Sequence, residues 1–138
     1  MILGFTGTRD GLSDRQKVGL IKTMLSFHEH EGIEEVHHGC CVGADREFHD
    51  FAKWLLGIHR IIAHPPTDKR LMADMLLELP VKQVRSPLPY LDRNHMIVKE
   101  SDFLIAAPAQ PKEIQRSGTW ASVRYAKRIG GRVRILMP

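Results

Sequence analysis

The sequence predicts an α/β domain built on a mainly parallel sheet of about five strands, with helices on both faces. Three observations lead there. Segments of strand character alternate with segments of helical period along the whole chain. Phe103-Leu104-Ile105-Ala106-Ala107 is a continuous apolar run, as strands buried on both faces require. Glycines follow closely on the first two strand segments, where strand-to-helix turns are needed.

Each element has its own signal. Ile2-Leu3-Gly4-Phe5 is a short apolar strand running into the turn Gly-Thr-Arg-Asp-Gly. Ser13 caps a helix whose apolar positions Val18, Leu20, Ile21, Met24, Leu25 and Phe27 recur near helical period until Gly32. Glu35-Val36-His37-His38 is a second strand, broken by Gly39. From Asp45 a helix carries Phe48, Phe51, Ala52, Leu55 and Leu56 and ends at Gly57. Ile58 to Ala63 is a third strand, stopped by Pro65-Pro66. Thr67 to Leu79 places Leu71, Met72, Met75, Leu76 and Leu79 at helical spacing, predicting a short helix over the sheet edge with its methionines in packing. After the loop Ser86–Pro89, Tyr90 to Glu100 suits a helix with Met96 and Ile97 buried. Phe103 to Ala107 is the next strand, Ser117 caps a helix that runs to Gly130-Gly131, and Val133 to Met137 is a last strand.

The chain of 138 residues is the size of one domain, residues 1–138, with no linker, internal repeat or low-complexity segment. With 43% apolar residues it can bury a core without disulfide or metal staples, which argues against disorder. No apolar run approaches the roughly 20 residues that cross a bilayer, and Met1 to Phe5 is too short for a signal peptide. A soluble, cytoplasmic protein with no membrane partner is expected. The adjacent Cys40 and Cys41 are poorly placed to bridge to each other, which fits a reducing compartment. From Pro111 onwards Lys112, Arg116, Arg124, Lys127, Arg128, Arg132 and Arg134 stand against the single acid Glu113, out of a net charge of +4 for the chain. This basic end suggests contact with something anionic.

In an open parallel sheet, ligands bind along the edge where the strands end. Three loops fall there: Gly4 to Arg9, with Thr6, Gly7, Thr8 and Arg9; Gly39 to Asp45, with Gly43 and Ala44; and Ser117-Gly118-Thr119-Trp120. Each joins glycine, which permits close backbone approach, to a following helix start whose unpaired N–H groups favour a phosphate. Neither the Gly-Lys-Ser/Thr phosphate loop nor Gly-x-Gly-x-x-Gly is present, so ATPase and ordinary dinucleotide dehydrogenase readings lose their basis.

The set Gly7-Thr8-Arg9, Gly39 to Asp45, Arg93-Asn94, Ser101-Asp102 before an apolar strand, and Ser117-Gly118-Thr119 resembles the SLOG superfamily, over nearly the whole chain. That group of Rossmann-like nucleotide binders includes the DNA-processing protein Smf and the lonely-guy cytokinin phosphoribohydrolases. The resemblance implies that Thr8 and Arg9 border a ligand, that Gly39, Gly43 and Ala44 let it approach the second helix, and that Ser117, Gly118 and Thr119 hold a phosphate. Arg93-Asn94, with Ile97 three positions on, is closer to the Smf pattern. The lonely-guy pattern Pro-Gly-Gly-x-Gly-Thr-x-x-Glu is not met, because Ile114-Gln115-Arg116-Ser117 precedes Gly118 and Ser122 stands at the glutamate position. Serine cannot replace a carboxylate in glycosidic hydrolysis, so an enzyme of that type needs Asp45 or Asp102, with Arg93 assisting.

The first expectation is a nucleotide sensor or sequestering module, assembled as a homo-oligomer and needing no cofactor. An N-glycosidase acting on a nucleoside monophosphate or ADP-ribose-like compound, and a single-stranded DNA binder, are the alternatives. Several residues carry two readings. Arg93 pairs with Asp92 or Asp102, or meets the ligand. Trp120 stacks on a base, or packs in the core. His37, His38, Cys40 and Cys41 lack the usual zinc-ligand spacing, so no metal is expected. Cys40 at a helix start is a nucleophile only if its thiol is activated.

Overall fold

The computed structural model describes residues 1–73 and 81–138. Strands β1 (Ile2–Gly7), β2 (Glu35–His38), β3 (Ile61–Ala63), β4 (Gln83–Val84), β5 (Phe103–Ala107) and β6 (Arg132–Ile135) form one sheet in the order β4-β3-β2-β1-β5-β6. Every pairing is parallel. Helices α1 (Asp14–His30) and α2 (Ala44–Leu56) cover one face, and α3 (Tyr90–Lys99) and α4 (Gly118–Arg128) the other. The fold is thus the expected α/β one, with six strands rather than about five. The additional strand β4 has two exposed residues at the sheet edge, too short to leave a periodic signal.

Strand alternation sorts the core. Leu3 and Phe5 of β1 and Ile105 and Ala107 of β5 point to α1 and α2, while Leu104 and Ala106 of β5 meet α3 and α4. Phe5 and Phe48 stack with ring centroids 4.3 Å apart. On α1 the stripe Gln16, Leu20, Thr23 and Met24 is buried, and Phe27 packs edge-on to Phe103. Val18 and Ile21, expected in the core, lie off that stripe and are exposed. On α3 the buried stripe is Arg93, Asn94, Ile97 and Val98, leaving Met96 half-buried.

Two elements differ from expectation. Ile58–Arg60 is a 3-10 turn, entered through Gly57 at φ +88°, and only Ile61–Ala63 is strand. The expected helix over Thr67–Leu79 is not formed in its described part. Lys69–Leu71 is a 3-10 turn capped by Asp68, and Met72 then bridges Cys41 in antiparallel fashion, with Val42 N–H donating to Leu71 O and Ala73 N–H to Cys40 O. The loop after β2 thus takes backbone bonds that a helix would have kept to itself. The rest of that segment, with Met75, lies outside the described residues. No helix among the described residues is long and apolar enough to cross a membrane.

The strand order reverses between β1 and β5, so the chains leaving these two strands diverge to opposite faces and open a crevice between them. One buried side chain ties the ends of β5 and β6 to α1. Gln16 Nε2 donates to Pro108 O at 2.7 Å and to Leu136 O at 2.9 Å, while its Oε1 accepts from Ser13 N–H in a capping box. Gln16→Ala leaves two buried carbonyls unpaired and is expected to lower unfolding free energy by at least about 1–3 kcal/mol in urea denaturation; an unchanged midpoint would contradict this role.

Candidate functional site

The crevice at the β1/β5 switch point holds a cavity of about 280 Å³. From the β1 side come Thr6, Gly7, Thr8, Arg9 and Asp10, and from the α4 side Ser117, Gly118 and Thr119. Asp45 of α2 and Arg93 and Asn94 of α3 close the back. The structure therefore brings together nine residues singled out from sequence: Gly7, Thr8, Arg9, Asp45, Arg93, Asn94, Ser117, Gly118 and Thr119.

Gly39, Gly43, Ala44 and Trp120 are not on the cavity wall. A Cβ at Gly39 would stand 2.0 Å from Arg93 Nη1, and one at Gly43, which has φ +84°, 2.2 Å from Arg9 O. These glycines make room for the protein's own arginines. Ala44 donates its N–H to Thr8 O at 2.9 Å and packs against Gly7, where a Cβ would lie 2.5 Å from its own. Trp120 is buried with Ala106 and Val123 in the core below α4.

Arg93 is not a surface ion pair with Asp92 or Asp102. It is 3% exposed, donating from Nη1 to Gly39 O and to His64 O (3.2 Å) and from Nη2 to Cys41 Sγ (3.4 Å). It thereby ties the ends of β2 and β3 to α3. Tyr90, one helical turn before it, lies against two guanidinium groups, Arg9 at 5.4 Å and Arg93 at 5.6 Å from the ring centroid. The phenol occupies the space left free at Gly118, where a Cβ would stand 1.2 Å from its oxygen. Arg116, exposed on the loop before α4, is a third arginine on the cavity wall. Asp10 and Asp45 are the acids on the wall.

Asp45 is 5% exposed, and its Oδ2 accepts from Cys41 N–H at 3.1 Å. Burial pushes its carboxyl up to about 6, against the pull of Arg93 and of the Cys41 and Gly39 N–H groups. The thiols move the other way from a reactive cysteine. Burial, with the Asp45 charge beside it, raises Cys40 to about 12 and Cys41 in the same direction, so neither is a thiolate nucleophile at neutral pH. Both are free, and Cys40 holds a left-handed backbone at φ +58°. Ser122, at the position where a lonely-guy glutamate would stand, is 1% exposed and donates to Gly118 O at 3.1 Å, off the cavity wall.

Sequence reasoning missed Asp10, Tyr90, Ala109, Gln110, Ile114 and Arg116 on the wall, while Thr6 and Cys41 lay in the loops it singled out without being given a role. Tyr90 sits three residues before Arg93 on one helix face, which was a usable signal. The loop from Ala109 to Arg116 could be placed only with the strand order known. The basic end is also less free than its composition suggests. Arg124 pairs with Glu113 at 3.0 Å and donates to Gln115 O at 3.1 Å, while Arg128 lies over Tyr125 and Arg132 over Phe103.

A carboxyl raised by burial makes the folded protein bind its proton more tightly than the unfolded chain. That contribution to stability is complete below the ordinary value of 3.8 and is lost as pH rises to about 6. Relative to Asp45→Asn, the wild type is therefore expected to lose about 2–3 kcal/mol between roughly pH 4 and 6 and to change no further above. Paired denaturation curves across that range measure it, and a constant difference would contradict the buried carboxyl.

No protein-family model and no curated protein matches this chain. Among solved structures, the X-ray structure of TM1055, a Northeast Structural Genomics Consortium target, superposes with a TM-score of 0.63 at 15% identity, covering 96% of this chain and 71% of that one. At that identity the likeness supports the Rossmann-like α/β fold.

Proposed function

We propose that the crevice binds a nucleotide or nucleotide-derived phosphate ligand, and that the protein works as a sensor or sequestering module. The observation that carries this reading is that Arg9, Arg93 and Arg116 line one cavity together with Ser117, Gly118 and Thr119 at the start of α4. Guanidinium groups hold phosphate by charge-assisted, bidentate hydrogen bonds, and a helix start adds oriented N–H groups and about half a positive charge. Tyr90 gives the same cavity an aromatic face. Its volume of about 280 Å³ lies near the lower end of small-molecule sites, roughly 300 Å³, which favours a mononucleotide over a dinucleotide. Assembly of the module as a homo-oligomer and a cytoplasmic setting belong to the same proposal.

A second reading has one observation behind it. Asp45 is a carboxyl on the cavity wall with its pKa raised to about 6, inside the range useful to a general acid or base. An N-glycosidase would use that group, since Ser122 offers no carboxylate. Single-stranded DNA binding has weaker support, because Arg124, Arg128 and Arg132 are engaged within the fold.

Thermal denaturation at fixed ionic strength against nucleoside monophosphates, ADP-ribose, NAD, cyclic nucleotides and a short single-stranded DNA separates these readings. A ligand at one hundred times its dissociation constant adds about 2.7 kcal/mol, which should raise the midpoint by roughly 10 °C. The expected outcome is such a shift from one small nucleotide, with no free base released. Arg116→Ala, at an exposed position, should keep the ligand-free midpoint and weaken binding about 10–100-fold, as loss of a charged hydrogen bond implies. Base release abolished by Asp45→Asn would favour the glycosidase. A salt-sensitive shift from DNA alone, lost in Arg124→Glu with Arg128→Glu, would favour nucleic acid.

A further inference from the structure

Away from the crevice, on the α3 face of the sheet, three elements bring ligand atoms together. They are His37 of β2, His64 one residue beyond β3, and Glu100 at the C-terminal cap of α3. His37 Nδ1 lies 2.8 Å from His64 Nε2 and 3.6 Å from Glu100 Oε2, and one ligand atom from each residue falls within 4.8 Å of the others. On its far side His37 Nε2 is 3.1 Å from Glu35 Oε1, and the other Glu35 oxygen is held by Lys82. Glu35 as a carboxylate only accepts, so His37 carries its proton on Nε2 and turns the lone pair of Nδ1 toward His64 and Glu100.

A carboxylate fixing the outer nitrogen of an imbedded imidazole is the arrangement that orients metal-bound histidines. We propose that His37 Nδ1, His64 Nε2 and a Glu100 carboxylate oxygen form a site for a divalent transition ion of the zinc class, with a fourth position left for water. Two imidazoles and one carboxylate are a recognised zinc ligand set. Both rings are buried, and burial moves their pKa values down, that of His64 to about 3, so they are neutral at pH 7 as coordination requires.

The ion-free arrangement has one proton between the rings, donated by His64 Nε2 to His37 Nδ1. Metal entry moves that proton from His64 Nε2 to His64 Nδ1, so that the ring stays neutral, and opens the 2.8 Å contact to about 3.3 Å, the ligand separation around tetrahedral zinc. Arg85 is the group that must yield. It donates to Glu100 Oε2 at 2.6 Å, yet its side chain is about a third exposed and its buried Nε has no partner among the described residues. The neighbouring candidates point elsewhere. His38 bonds His49 and the Cys40 N–H against α2, and Cys41 Sγ faces Arg93. The site neither uses the crevice nor depends on the nucleotide reading.

The full chain, stripped with a chelator, is titrated with Zn²⁺ against a chromophoric competitor and then with Co²⁺ for its visible spectrum. One Zn²⁺ per chain is expected, with a raised thermal midpoint and a Co²⁺ spectrum lacking thiolate charge transfer. Glu35→Gln should weaken Zn²⁺ about 10–100-fold, and His64→Gln should abolish the one-to-one complex. Glu100→Gln, at the partly exposed rim, should do the same, and it decides the matter if the histidine variant does not fold. No one-to-one complex in the wild type, unchanged affinity in Glu100→Gln, or a thiolate band would each overturn the proposal.

Discussion

The carboxyl edge of this sheet is organised around a buried cation. Arg93 leaves α3 and places its guanidinium against the last carbonyls of the β2 and β3 region, Gly39 O and His64 O, with Cys41 Sγ on its other terminal nitrogen. Removing a charge from water is expensive unless it is paired and hydrogen-bonded. The surrounding residues read as its compensation. Gly39 has no side chain because Arg93 Nη1 occupies that volume, and Asp45 Oδ2 stands 2.8 Å from the same point. Burial pushes the Asp45 carboxyl up to about 6, which still leaves it a carboxylate beside the guanidinium at neutral pH, while Arg93 Nε has no partner among the described residues. The guanidinium therefore keeps an unpaired donor, and Arg93 borders the cavity. Under the proposed function, an anion entering the cavity would meet that arginine.

Local features of the sequence carried over well to the structure, and long-range ones did not. Ser13 with Gln16, Ser117 and Gly57 mark helix ends through side-chain and backbone chemistry within a few residues, and the apolar run of β5 declares its double burial. The alternation of strands and helices was enough for the fold class. Strand order is another matter, since it depends on pairings such as Gly7 with Ala107 that no local pattern encodes. The loop from Ala109 to Arg116 joins the site through that order. Gly39 and Gly43 were visible as close-approach glycines, but what approaches them is Arg93 and the Arg9 backbone. The segment from Thr67 misled because its apolar spacing is helical, whereas its described part spends its hydrogen bonds on the Cys40–Val42 loop.

His64 belongs to both regions of interest. Its carbonyl accepts from Arg93 and its ring meets His37. Helix α3 has the same double reach, with Arg93 turned to the crevice and Glu100 closing the histidine pair seven residues later, about 10 Å along the axis. Adjacent histidines in β2 point to opposite faces, so only His37 can join that pair while His38 packs on Phe48. A search of the sequence for vicinal ligands would group His37 with Cys40 and Cys41. Both cysteines lie in the loop beyond β2, where Cys41 Sγ faces Arg93.

The proposed binding of an anion in the crevice between β1 and β5 is tested most directly by backbone amide NMR on a ¹⁵N-labelled sample titrated with a nucleoside monophosphate at constant ionic strength. Saturable shifts concentrated in the amides of Thr6 to Asp10 and Gly118 to Thr119 are the result the account expects. Absence of saturable shifts there, or shifts confined to the basic edge around Arg132 and Arg134, would contradict it.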